Sequence, residues 1–110
     1  MDRAIYLEEI RAAYQAEVWG EAIFSTLAEH ATNAVEREIW RTLVLFEATT
    51  RQRLVPLLER HGIDTTPDEE QRRLGTERGT ARVAAGFAAT VHRIFAPLDA
   101  AEARPAGRPD

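Results

Sequence analysis

The chain has 110 residues, 45% of them hydrophobic, which suits a single domain with a modest core. Its 18 acidic and 14 basic residues give a net charge of −4, and the bases, all arginine, are scattered among acids, so nucleic-acid binding has no electrostatic footing. The absence of cysteine excludes disulfides, thiolate metal sites and thiol nucleophiles, so any metal must be held by carboxylates and imidazoles.

From Ile5 to His30 apolar or small residues recur at helical spacing, with Tyr6, Ile10, Ala13, Gly20, Phe24 and Leu27 on one face and Asp2 placed to cap the start. The link from His30 to Asn33 is short, and Asn33 followed three residues later by Glu36 has capping-box spacing, so a second helix begins almost at once. Two helices joined this tightly run antiparallel. The second is expected to turn Ile39, Leu43, Phe46, Leu54, Leu57 and Leu58 inward, to bend at Pro56, and to end at His61-Gly62 with glycine as a left-handed cap. At about 1.5 Å per residue each helix is on the order of 40 Å long, and a hairpin of that length cannot bury both its faces alone.

Beyond the hairpin, Thr66 is expected to cap, Pro67 to take the first helical position and Glu69 to complete a capping box. Gly75 and Gly79 are expected to weaken or break this helix. An Ala-rich third helix then spans Thr80 to Pro97, with Val83, Phe87, Val91, Ile94 and Leu98 as its stripe. The sequence thus reads as all-α, a long antiparallel helical hairpin plus a third Ala-rich helix, in one domain over residues 1–102. Residues 103–110, rich in Pro, Gly and Arg, read as a disordered tail. No apolar run reaches the eighteen or so residues of a membrane span, and Met1-Asp2-Arg3 leads directly into helical pattern, so the expectation is a cytoplasmic protein without a membrane partner. The Arg-only, Ala-rich usage suggests a GC-rich, bacterial genome.

Two acids break the apolar pattern. Glu17 sits in the stripe of the first helix between Ala13 and Gly20, and Glu47 belongs to the row Trp40, Leu43, Glu47, Thr50, Leu54 of the second. The two lie equally far in sequence from the turn around Thr32, so the antiparallel hairpin brings them level. Burying two like charges together is costly unless a cation or a shared proton compensates, and a divalent iron or manganese ion matches carboxylate oxygens. Glu21, one turn after Glu17, can reach the same site. The structural alternative is that each glutamate is a boundary residue reaching water or pairing with an arginine such as Arg51.

His92, beside the Val91 and Ile94 stripe, is either structural or a completing ligand, whereas His30 and His61 fall at helix ends, where carbonyl groups explain them. Trp19 and Trp40 read as packing residues or an association surface. Ser25, the only serine, has no base or oxyanion hole in pattern with it, and no glycine-rich phosphate loop is present.

The runs Glu17-Val18-Trp19-Gly20-Glu21-Ala22-Ile23-Phe24 and Leu45-Phe46-Glu47-Ala48-Thr49-Thr50-Arg51-Gln52-Arg53-Leu54 resemble the first two helices of ferritin-like proteins, including the rubrerythrin and demethoxyubiquinone hydroxylase relatives. The resemblance covers about half of the chain. It implies a partial ferritin-like bundle in which Glu17 and Glu47 are metal ligands, with iron or manganese as cofactor and oxidation chemistry on an unspecified small-molecule substrate. Two departures qualify it. The histidine of the superfamily's Glu-x-x-His falls on Thr50, and the second half of the usual four-helix bundle is missing. A homodimer contributing Glu17 and Glu47 from each chain completes such a site. Alternatively the bundle is metal-free and degenerate, and serves as an interaction or scaffolding module.

Overall fold

The computed structural model describes residues 2–102, with side chains through residue 94; the tail expected over 103–110, and Leu98 as a stripe residue, lie outside what is described. Four helices and no strand occur among the described residues: α1 (Arg3–Glu29), α2 (Ala34–Arg60), α3 (Glu69–Ala85) and α4 (Phe87–Glu102). None is long and apolar enough to cross a membrane.

The hairpin forms as its capping residues dictate. Asp2 accepts a hydrogen bond from the Ala4 amide and Asn33 from the Glu36 amide, each satisfying a donor that the first helical turn leaves free. At the end of α2, Gly62 takes φ 72°, which a side chain would resist. Pro56 lies within α2, and the helix continues through it to Arg60.

The start of α3 differs from the expected box. Asp68 is the cap, accepting from the Glu70 amide, while Thr66 is drawn into a turn in which its amide and hydroxyl both donate to Asp64. Asp64 offers a closer acceptor to Thr66 than the helix does, and this local side-chain bonding delays helix entry by two residues. The third Ala-rich helix is also two helices. Gly86, at φ 95°, separates α3 from α4, and the Thr90 hydroxyl donates to the Arg82 carbonyl across the break at 2.9 Å.

Gly75 and Gly79, expected to weaken a helix, lie buried inside α3 and form its contact face. A Cβ on Gly75 would stand 2.3 Å from the Trp19 carbonyl oxygen, and one on Gly79 2.7 Å from the Thr26 Cβ. These glycines one turn apart let α3 lie directly on the backbone of α1. Because Gly75 meets Trp19 and Ala22 while Gly79 meets Ile23 and Thr26, α3 runs in the same direction as α1. The return segment before it is held by Tyr14, whose hydroxyl donates to the Thr65 carbonyl at 2.6 Å, and by Gln15, which bonds Thr66 and Asp68.

Helix α1 is therefore the centre, with α2 and α3 along its two sides and α4 returning from α3. Two apolar clusters result. Tyr14, Val18 and Leu58 form the lower one, with Ile10, Leu54, Val55 and Ile63 around it. The upper one gathers Ile23, Leu27, Ala28 and Trp40 and is closed by Phe87, Val91 and Ile94 of α4. Trp40 is its pivot, stacked on Phe24 at 5.9 Å between centroids and edge-on to Phe87 at 5.6 Å.

Part of each expected face is buried, Gly20 and Leu27 in α1 and Leu58 in α2, with Ile10, Phe24, Leu43 and Leu54 packed against the core, while other expected residues are not. With partners on both sides, α1 buries Tyr14, Val18, Ala22 and Ile23, and leaves Tyr6 exposed. Helix α2 touches chiefly α1, so only a narrow strip is covered. Ile39 and Phe46, expected inside, are 40% and 65% exposed, while Trp40 is 2% exposed.

Candidate functional site

Glu17 and Glu47 line the same cavity, of about 470 Å³ beside the middle of α1, whose apolar wall includes Trp19, Ile23, Phe24 and Ile94. Gly20 opens the floor between the two acids. A Cβ there would lie 3.2 Å from the Glu47 carboxyl carbon, so the missing side chain lets Glu47 reach across to α1. One carboxylate oxygen of Glu17, Oε2, is buried without a hydrogen-bond partner, and burial pushes the Glu17 carboxyl above its ordinary range.

Three arginines share this cavity: Arg78 and Arg82 from α3 and Arg93 from α4. The Arg82 Nε is also buried without a partner. Among the described residues no ion pair joins these arginines to Glu17 or Glu47. The cavity is thus lined by two glutamates, three arginines and an apolar wall, and Glu17 and Arg82 each bury one polar atom without a partner. Buried polar atoms of this kind are uncommon in a folded chain unless water or a ligand meets them.

Glu21 is not part of the cavity. Its carboxylate accepts a hydrogen bond from Arg51 Nε at 3.2 Å, and Arg51 also donates to the Tyr14 hydroxyl at 3.3 Å with its guanidinium 5.8 Å from the ring centroid. Glu21 and Arg51 form the pairing that the sequence offered as the structural alternative. Thr50 donates its hydroxyl to the Phe46 carbonyl within α2, and His92 is exposed outside the cavity wall. His30 Nδ1 lies 2.9 Å from the Thr26 carbonyl, as its helix-end position implies, and His61 Nδ1 is 2.7 Å from an Arg3 guanidinium nitrogen.

Within one chain this set does not suit a di-metal centre. Two glutamates, three arginines and no histidine line the cavity, and no group of three or more His, Asp or Glu gathers at metal-binding distance among the described residues. The sequence reading missed the arginines. Their signal was the spacing Gly75-x-x-Arg78-Gly79-x-x-Arg82: once the glycines are recognised as a contact face, an arginine three residues after each borders the α1 surface. In comparisons with known proteins, the chain matches no family model, no curated protein and no solved structure.

Proposed function

We propose that the chain is a helical binding module for a small organic molecule with an apolar body, an acidic group at one end and an amine or hydroxyl at the other. Arg78, Arg82 and Arg93 receive the acid, the wall of Trp19, Ile23, Phe24 and Ile94 receives the body, and Glu17 and Glu47 accept hydrogen bonds from the far end. The observation that carries this reading is the pair of unpartnered buried atoms, Glu17 Oε2 and Arg82 Nε, in residues that line one cavity. Its volume of about 470 Å³ lies within the range of small-molecule sites. The proposal takes the protein to work in the cytoplasm.

Calorimetric titration with an aromatic amino acid, the matching aryl acid and the matching aryl amine tests it. Saturable binding is expected for the zwitterion, weaker binding for the acid, and a loss of at least about tenfold in Arg82→Leu, as removal of a charged hydrogen-bonding partner implies. No heat and no thermal stabilisation with any acid-bearing probe at millimolar concentration would sink the proposal.

A ferritin-like metal site stands as the second reading, supported by the two glutamates sharing one cavity. It needs iron or manganese between Glu17 and Glu47 and further carboxylates from a second chain, with oxidation chemistry implied by the resemblance alone. Stoichiometric iron or manganese by elemental analysis, lost in Glu47→Ala, is its signature.

A further inference from the structure

A second cavity, of about 210 Å³, opens where the end of α1, the start of α2 and the break between α3 and α4 meet. Leu27, Trp40 and Phe87 give it an apolar lining, and His30, Glu36 and Arg82 add charge and hydrogen-bonding capacity. Two hydroxyls of the lining are already engaged: Thr32 donates to Glu36 Oε2 at 3.2 Å and Thr90 to the Arg82 carbonyl at 2.9 Å. His30 Nδ1 lies 2.9 Å from the Thr26 carbonyl, which can only accept, so the ring carries a proton on Nδ1 and Nε2 is its free nitrogen. Arg82 has no ion pair among the described residues, and its Nε is buried without a partner.

Each of these groups selects a complementary one. A guanidinium is matched by a carboxylate. Glu36 in the same cavity penalises a dianion such as inorganic phosphate, and with the free His30 nitrogen, an acceptor in the neutral ring, it calls for a positive group with several N–H donors. His30 and Glu36 alone fall short of the ligands a metal ion needs. We infer that this cavity binds a small aliphatic amino acid, its carboxylate on Arg82, its ammonium on Glu36 and His30 Nε2, and its side chain against Leu27, Trp40 and Phe87. A zwitterion leaves neither Arg82 nor Glu36 as an uncompensated charge. Size favours an aliphatic over an aromatic side chain, because 210 Å³ is less than half of the 470 Å³ of the Glu17 cavity.

Arg82 is the one lining residue that the two cavities share. The inference stands whether or not the Glu17 cavity takes a ligand of its own, and the tryptophans tell the two apart, since Trp40 lines this cavity and Trp19 the other. The α4 wall here is the first turn of that helix, where Thr90 is 1% exposed and is held to α3 through the Arg82 carbonyl.

Titration of the Trp19→Phe protein with L-valine, followed by Trp40 fluorescence and by the ring signals of the three histidines in NMR spectra, tests it. The Trp40 and His30 signals are expected to move together and to saturate with a Kd of about 1 mM, the range open to a ligand of so few atoms, while His61 and His92 stay in place. Isovalerate and isobutylamine, which each lack one end of the zwitterion, are expected to bind at least about tenfold more weakly. Glu36→Gln keeps the Asn33 cap, because that bond uses the backbone amide, and is expected to weaken valine binding about tenfold with unchanged helicity. No movement of the His30 and Trp40 signals up to about 50 mM valine, far above a millimolar constant, overturns the inference. So does equal movement of all three histidines, isovalerate binding as tightly as valine, or valine binding undiminished in Glu36→Gln.

Discussion

Replacing Gly75 with alanine sets two effects of known sign against each other. In an exposed helix interior the change favours the helix by about 1 kcal/mol, because alanine gives up less backbone entropy on folding. In α3 the new Cβ would stand 2.3 Å from the Trp19 carbonyl oxygen and 2.8 Å from the Ala22 Cβ. The first is a backbone atom within α1 and cannot swing aside. To reach even a 3.0 Å separation, α3 must retreat by about 0.7 Å, which loosens every contact it makes along α1. Overpacking of this kind costs about 1–3 kcal/mol, and an obstructing backbone favours the upper end. After the gain in propensity, Gly75→Ala should destabilise the protein by about 1–2 kcal/mol and lower Tm by roughly 5–10 °C. Gly20→Ala is the reference. It has the same propensity gain, but its Cβ meets the mobile end of Glu47 at 3.2 Å, so stability should hold or rise by up to about 1 kcal/mol. Urea denaturation followed by circular dichroism measures both. If Gly75→Ala proves as stable as Gly20→Ala, α3 does not lie on the α1 backbone and the close-packing argument fails.

Two further outcomes follow from the site and its supports. Burial raises the Glu17 carboxyl, so the folded chain holds that proton more tightly than the unfolded one; this acid leaves stability undiminished below 4.5 and lowers it as pH climbs through the folded-state value. Glu17→Gln should therefore raise the urea midpoint relative to wild type at about pH 7.5 and leave it unchanged at about pH 3.5, and a difference independent of pH would show that the carboxyl is not titrating in a buried setting. Tyr14→Phe removes the donor to the Thr65 carbonyl and the acceptor for Arg51, and should cost about 1–2 kcal/mol. Because Tyr14 holds the segment before α3, hydrogen exchange should quicken over residues 61–68. Unchanged exchange there would mean that Gln15 alone secures it.

The helices and most of their ends were legible in the sequence because they depend on neighbouring residues. Asn33 three residues before Glu36, and Gly62 after the last turn of α2, act through hydrogen bonds and backbone angles within a few positions. That Glu17 and Glu47 line one cavity was legible for a related reason. A short link forces antiparallel pairing, and equal distances from the turn then place the two acids level. Thr66 was misread because Asp64 competes for it over an equally short range, and a capping pattern does not reveal which acceptor wins.

The tertiary structure alone decided what surrounds each helix. Gly75 and Gly79 look like breaks when α3 is considered in isolation, and only the backbone of α1 beneath them turns them into a contact surface. The same docking brings Arg78 and Arg82 to the cavity that the two glutamates line, so a pair that suggests a cation in sequence shares its cavity with arginines. Helical periodicity fixes which residues share a face but not which face meets a neighbour. With α1 wedged between two helices and α2 supported along one strip, Trp40 goes inside and Phe46 stays out. That choice depends on the partners each helix acquires, which no local pattern encodes.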